Sequence, residues 1–245
     1  NALRQHSRDD YVLSTKVGRL LKPRSKPQDP KDPWKDPLPF EPVFDYGYDA
    51  TMRSFEDSLQ RLGLNRIDIL LIHDIGKTTH FGEHDKHMKA AMEGGYKALK
   101  KLRDEGLIGA LGMGVNEWEV CMEAMQHGDF DTFLLAGRYT LLEQEALDVF
   151  LPECEKRGTT IIIGGPFNSG ILAVGAKPGI TYNYEPAPKE ILDKVAKIEK
   201  VCADHKVPLP AAALQFPLPH PSVCSLIPGS RNVEELERNI DLFRF

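Results

Sequence analysis

RIDILLIHD, residues 66–74, is a strand with apolar side chains on both faces. Successive side chains alternate along an extended chain, so Ile67, Ile69 and Leu71 face one way while Leu70 and Ile72 face the other. A strand apolar on both sides belongs in a parallel sheet covered by helices. The run ends in His73, on the face of Ile67, Ile69 and Leu71, so a titratable imidazole finishes a buried strand. Such a histidine is either a satisfied end-of-strand residue or a group with chemistry to perform, and the stretch alone leaves both open.

Working outward, five more short apolar runs read as strands: YVLSTKVG (11–18), IGALGMGV (108–115), TFLLAGRY (132–139), TTIIIGG (159–165) and VCSLIPG (223–229). Helical patterns lie between them, at 50–64, 87–106, 117–128, 142–158 and 190–205, and a last one at 232–243 follows the final strand. In the second, Met88, Met92, Tyr96 and Leu99 fall on one face and lysines on the other. Strands alternating with helices imply parallel pairing and right-handed crossovers. No G-x-G-x-x-G turn follows any strand, which disfavours an open dinucleotide-binding sheet. The expected fold is therefore an α/β (β/α)8 TIM barrel forming one domain over 1–245. Six strands are counted where eight are required, so the barrel is expected to be N-terminally incomplete, lacking its first two strands.

The 245 residues carry a net charge of −5 with no basic block, which argues against a nucleic-acid partner. No apolar run approaches the ~18 residues of a membrane span, so no membrane partner is expected either. Cys121, Cys154, Cys202 and Cys224 are far apart, make no C-x-x-C pair and read as reduced core residues of a cytoplasmic protein. Residues 22–48 hold seven prolines and no periodicity. They are expected to form a loop beside the active site, with Trp34, Phe40 and Phe44 either lining a substrate pocket or tacking the loop to the rim.

Lys16 gives His73 a companion. In YVLSTKVG, Val12, Ser14 and Lys16 share a face, so Lys16 and His73 both finish strands and both point inward. A lysine at the end of a buried strand is costly unless paired or employed. Together the two residues could perturb a proton donor and polarise a carbonyl.

STKVGR, the run RSFEDSLQRLGLNRIDILLIHD, GALGMGVNEWE, FNSGIL and IPGSRNVEELERN resemble the aldo-keto reductases, from about residue 11 to the end. Within that family VLSTKVGRLL, LLIHDIG, AGRYTLL and GGPFNSGIL look most like NAD-dependent aldose 1-dehydrogenases acting on L-fucose-like sugars, and like enzymes that oxidise pyridoxal. The resemblance implies hydride transfer between a nicotinamide and a small sugar, aldehyde or pyridoxal. It also implies a tetrad of Asp, Tyr, Lys and His. Lys16 matches the lysine that lowers the tyrosine pKa, and His73 the histidine that orients the substrate oxygen, so His73 is expected to steer substrate. The tyrosine and aspartate are expected to precede Asn1. VFDYGYDAT, with Asp45, Tyr46 and Tyr48, reads as a helix entry and not as a replacement donor. Residues 1–245 by themselves are accordingly expected to be poorly folded and inactive.

For the cofactor, the resemblance implies that Asn116 holds the nicotinamide amide. FNSGIL, with Ser169, Gly170 and Leu172, wraps the pyrophosphate. Ser230 and Arg231, just before a helix N-terminus, offer a phosphate cradle, and Gly229, Glu235 and Asn239 are further implied cofactor contacts. Ala136-Gly137-Arg138 stands where many members carry a second amide contact, and Gly164-Gly165 where an aromatic usually stacks on nicotinamide. Gly229 and Glu235 occupy the positions where NADP-preferring members carry a lysine and an arginine, so NAD is expected over NADP. Glu235 could also close a capping box with Asn232.

Two other classes compete. His80, His84 and His87, near Glu83 and Asp85, have loosely metal-like spacing and would suit a metal-dependent barrel hydrolase. Because they crowd into one loop, a solvated loop and no metal is the expectation. A non-catalytic nucleotide-binding regulatory barrel is the other alternative, against which Lys16 and His73 together argue.

Overall fold

The computed structural model describes residues 2–24 and 38–245. The chain divides into two compact units, 1–113 and 114–245. In the first, β1 (Ser14–Val17) runs parallel to β4 (Ile69–His73), with Lys16 opposite Leu71 and Val17 opposite Ile72. Leu70, Leu71 and Ile72 are fully buried, as an apolar run on both faces requires. Gly18 then turns the chain into β2 (Arg19–Pro23), which pairs antiparallel with β3 (Phe40–Phe44). The expectation of a loop over 22–48 is thus corrected at both ends. Pro23 and Pro42 are accommodated because a two-stranded ribbon leaves N–H positions that need no partner.

Helix α1 (Tyr48–Leu62) follows, capped by Gly47 and closed by Gly63 in the left-handed conformation. Its buried face carries Ala50, Thr51, Ser54, Phe55 and Ser58, mostly small side chains that permit close packing. After β4 come α2 (Lys77–His80), α3 (His84–Ala90), one π turn (Ala91–Gly95) and α4 (Tyr96–Asp104). Met88, Met92 and Leu99 are buried and Lys89, Lys97 and Lys100 exposed, as the periodicity predicts. Two glycines of the π turn meet the backbone at the entry to α1. A Cβ on Gly94 would lie 2.7 Å from the Tyr48 nitrogen, and one on Gly95 2.8 Å from the Tyr46 carbonyl oxygen.

β5 (Ala110–Val115) leads from the first unit into the second, where α5 (Trp118–Ala124) follows. There β6 (Thr132–Ala136), β7 (Thr160–Gly164) and β10 (Val223–Ile227) pair in parallel, β7 being central. Between them lie α6 (Phe150–Arg157) and α7 (Ile171–Val174). A hairpin of β8 (Thr181–Tyr182) and β9 (Glu185–Pro186) comes next, then α8 (Lys189–Asp204) and α9 (Leu209–Gln215). Helix α10 (Val233–Phe243) closes the chain. Phe133 and Phe150 pack at 5.6 Å between ring centres in the core, while Leu142, Ile171, Leu172, Val195, Leu209 and Ala213 form a second cluster. All six strands read from the sequence are present, and no helix among the described residues is long and apolar enough to cross a membrane.

The entry to β4 is fixed by charge. Asp68 accepts from Arg8 at 2.5 Å, from the Leu13 backbone N–H at 2.7 Å, and pairs with Arg66 at 3.1 Å. Burial alone would raise the Asp68 carboxyl, but these donors outweigh it and hold it below the ordinary carboxylate range. Its stabilisation is therefore complete above the unfolded-state value of about 4 and is lost as pH falls below that. Asp68→Asn is expected to cost the whole protein about 2 kcal/mol in urea denaturation at pH 7. The variant should also lack the part of the acid destabilisation that Asp68 causes. An unchanged midpoint would show that the network does not hold the strand.

Candidate active site

Lys16 and His73 come from neighbouring parallel strands. Because Lys16 stands opposite Leu71, and Leu71 shares a face with His73, the amine and the imidazole project from one face at the C-terminal ends of β1 and β4. Lys16 is half-buried and has no hydrogen-bond or ion-pair partner among the described residues. The His73 side chain is 28% exposed, and its Nε2 lies 3.4 Å from Asp74 Oδ2. Burial pulls this imidazole down to about 4; the Asp74 carboxylate works against that, and the Arg19 and Lys16 cations add to it. At neutral pH His73 is therefore an uncharged imidazole that keeps one N–H to donate.

Behind it sits a network that the sequence did not reveal. Arg19 pairs with Asp74 and lies 4.8 Å over the Phe44 ring. Asp74 adopts φ +48°, a left-handed conformation uncommon outside glycine. The Tyr46 hydroxyl meets the His73 carbonyl at 2.9 Å, the Asp74 carbonyl at 3.2 Å and His80 Nε2 at 2.8 Å. Burial pushes that hydroxyl well above the phenol range, so Tyr46 is a fixed structural donor and not an acid tuned for proton exchange.

The histidine trio is corrected in place. His80 and His84 are buried, not solvated: His80 packs against Phe44 at 4.6 Å and His87 at 4.0 Å, and His84 Nδ1 meets the Ile75 carbonyl at 3.1 Å. Their sequence neighbours are polar, and only the approach of Tyr46 and Phe44 makes the site a core. No group of three His, Cys, Asp or Glu among the described residues is placed to hold a metal. Phe44 packs against Arg19, Tyr46 and His80 while itself 37% exposed. Phe40 remains 37% exposed on β3, and Trp34 lies outside the described residues.

The second unit carries a cleft of about 710 Å³. One wall is the loop after β7, including Ser169 and Gly170; the other, from Gly229 to Asn239, is the start of α10. Ser169 Oγ accepts from the Tyr184 N–H at 3.1 Å, which ties the loop to the β8–β9 hairpin. Asn168 is buried at φ +44° and latches the same loop, donating to the Gly137 carbonyl at 3.0 Å and accepting from the Thr140 hydroxyl at 2.6 Å. On the opposite wall Asn239 donates to Ser230 Oγ at 3.0 Å. Asn232 caps α10 by accepting from the Glu235 N–H at 2.8 Å. The second limb of the expected capping box goes elsewhere: the Glu235 carboxylate takes the Arg231 N–H at 2.8 Å and its guanidinium at 2.6 Å.

Leu172 does not line the cleft. Its side chain is fully buried and its N–H is spent on the Phe167 carbonyl at 3.1 Å. Asn116, just past β5, points its amide at the Ala136 carbonyl, 3.4 Å away. Nothing lies within 4 Å of where a Cβ would stand on Gly170 or Gly229, so both walls leave room for a ligand close to the backbone.

A family model described as Aldo/keto reductase family matches residues 1–245. Pyridoxal 4-dehydrogenase of Microbacterium luteolum is 45% identical over 242 residues, covering 95% of this chain and 71% of that protein. D-threo-aldose 1-dehydrogenase of a Pseudomonas species is 36% identical over 244 residues, covering 98% and 72%. An aldo-keto reductase from Bacillus halodurans, solved in its holo form, superposes with a TM-score of 0.69 at 20% identity, covering 98% of this chain and 70% of that one. The parallel strands and intervening helices are those of the (β/α)8-type fold, and the chain belongs to the aldo/keto reductase family, whose members are oxidoreductases that use nicotinamide cofactors.

Proposed function

We propose that this oxidoreductase moves a hydride between NAD and a small carbonyl or hemiacetal substrate, in the manner of an aldose or pyridoxal dehydrogenase. The observation that carries the reading is the pairing of a lysine without a hydrogen-bond or ion-pair partner among the described residues with a neutral histidine on one face, at the C-terminal ends of adjacent parallel strands. Active sites of such barrels lie at that end of the strands. An aldose and pyridoxal share one chemistry, since each closes an internal hemiacetal. Oxidation at that carbon removes a hydride from C–H and a proton from O–H and leaves a lactone.

A bound nicotinamide supplies the hydride acceptor. The protein's own residues do the rest. The neutral His73 donates its N–H to the reacting oxygen and orients it. The Lys16 ammonium lowers the proton affinity of the hydroxyl that exchanges the substrate proton. Asn116 is assigned to the nicotinamide amide, and Ser169 with Gly170 to the pyrophosphate. The N-terminus of α10, with Gly229, Ser230, Arg231, Glu235 and Asn239, is assigned to the adenosine end. The open backbone at Gly170 and Gly229 supports that assignment.

In the whole protein Lys16→Met should lower kcat by about 10²–10⁴ while leaving the NAD dissociation constant within a few-fold. Near-wild-type turnover in a screen of aldoses and pyridoxal would overturn the assignment.

The preference for NAD rests on Glu235. Its carboxylate already neutralises Arg231, so a 2′-phosphate must break that pair to recruit the guanidinium. Arg238, the other cation on this wall, is exposed to water, where an ion pair is worth about 1 kcal/mol or less. A free 2′-hydroxyl, by contrast, can donate to the carboxylate. Titrations should give tighter binding of NAD than NADP. Glu235→Ala, which frees Arg231, should improve NADP binding by a few-fold. Tighter NADP binding by the unaltered protein would refute the preference.

A further inference from the structure

We propose that Asp74, clamped by Arg19 and held at its backbone by Tyr46, is the positioning residue that fixes His73 as a hydrogen-bond donor toward substrate. This rests on the reading of His73 as the residue that orients the substrate oxygen. Two side chains, Arg19 and Tyr46, converge on the short turn after β4. Arg19, at the start of β2, grips the Asp74 carboxylate from the side. Tyr46, buried behind the turn, meets both the His73 and the Asp74 carbonyl oxygens. Asp74 itself sits at φ +48°, a conformation unfavourable in a residue other than glycine that persists only where its surroundings impose it.

The geometry assigns the carboxylate a task. Asp74 Oδ2 faces Nε2 of the imidazole at 3.4 Å, which favours the tautomer with its proton on Nε2. The two groups make no hydrogen bond, so the N–H is not consumed by the carboxylate. A substrate oxygen entering beside Lys16 can therefore take it. Arg19 is needed for a second reason. An unpaired carboxylate would rotate onto the imidazole and hold its N–H, whereas one clamped by a guanidinium keeps its other lone pairs engaged. Among the described residues the charged groups facing His73 are Lys16 from β1, Arg19 from β2 and Asp74 from its own strand end. The two cations disfavour the imidazolium and the carboxylate favours it.

The test uses Asp74→Asn, because asparagine tolerates the left-handed backbone and removes only the charge. Arg19→Met removes the clamp. In the whole protein each single variant should lower kcat/KM about tenfold or more, mainly through kcat, with NAD affinity retained. The double variant should be no worse than either single one, because the pair acts as a unit. Proton NMR should place the His73 titration near 4 in the unaltered protein, lower in Asp74→Asn and higher in Arg19→Met; the loss in kcat with NAD affinity retained is the readout that a merely structural ion pair would not give. Should Arg19→Met fail to fold, Arg19→Lys keeps the charge and should restore part of the activity. Additive losses, or wild-type kcat/KM with an unmoved titration, would overturn the proposal. If Lys16→Met and His73→Gln abolish turnover while Asp74→Asn and Arg19→Met leave it intact, the positioning role alone fails. If all four are silent, the reading of the site fails with it.

Discussion

One buried hydroxyl, that of Tyr46, sets the geometry at the end of β4. It sits where the β3 ribbon, the entry to α1 and the turn after β4 converge, and it touches backbone oxygens of two consecutive residues there. A phenol buried this deeply costs free energy unless its hydroxyl is satisfied, and here it has three partners within 3.2 Å. The surroundings are shaped to keep the ring in place. Gly18 has no Cβ, and one added there would overlap the Tyr46 ring. His80 and Phe44 close the remaining sides. The end of β4 is thus fixed through its backbone, and the His73 side chain is left free for chemistry.

Much of this was legible in the sequence. The doubly apolar run before His73, the alternation that puts Lys16 on the matching face and the amphipathic helices all follow from period-2 and period-3.6 patterning. The entry to α1 at Gly47 was readable from the turn residues around it. What escaped depends on tertiary contact. Prolines at 23, 39 and 42 hid the β2–β3 ribbon, because proline is read as a strand breaker and an edge strand tolerates it. The histidine trio looked solvated because its neighbours in sequence are polar, while its neighbours in space are Tyr46 and Phe44. The Arg19–Asp74 pair did carry a signal. Counting on two residues from the Val17–Ile72 pair sets Arg19 against Asp74, so the β1–β4 register alone would have found it.

The second unit handles its charges differently. Around the cleft three polar groups are already satisfied by a neighbour: Arg231 by Glu235, Ser230 by Asn239, and Ser169 by the hairpin. A ligand there does not meet a bare field of positive charge. It exchanges existing hydrogen bonds for new ones, so selectivity between nucleotides depends on which pairs it can replace at equal or better strength. The latch of Asn168 on Gly137 and Thr140 supplies the rigid base against which that exchange is made.

Gly94 and Gly95 give the π turn a meaning beyond packing. Neither touches a substrate or a cofactor in any reading of the site, and within a helix each costs about 1 kcal/mol relative to alanine. Yet a methyl group on either would press on the backbone of residues 46–48, which carries Tyr46, whose hydroxyl holds the His73 carbonyl. An error introduced at a helix glycine thus arrives, three contacts later, as a misplaced imidazole. Natural selection acting on turnover will therefore police two positions that look purely architectural, and drift at this helix will be slower than its distance from the chemistry suggests.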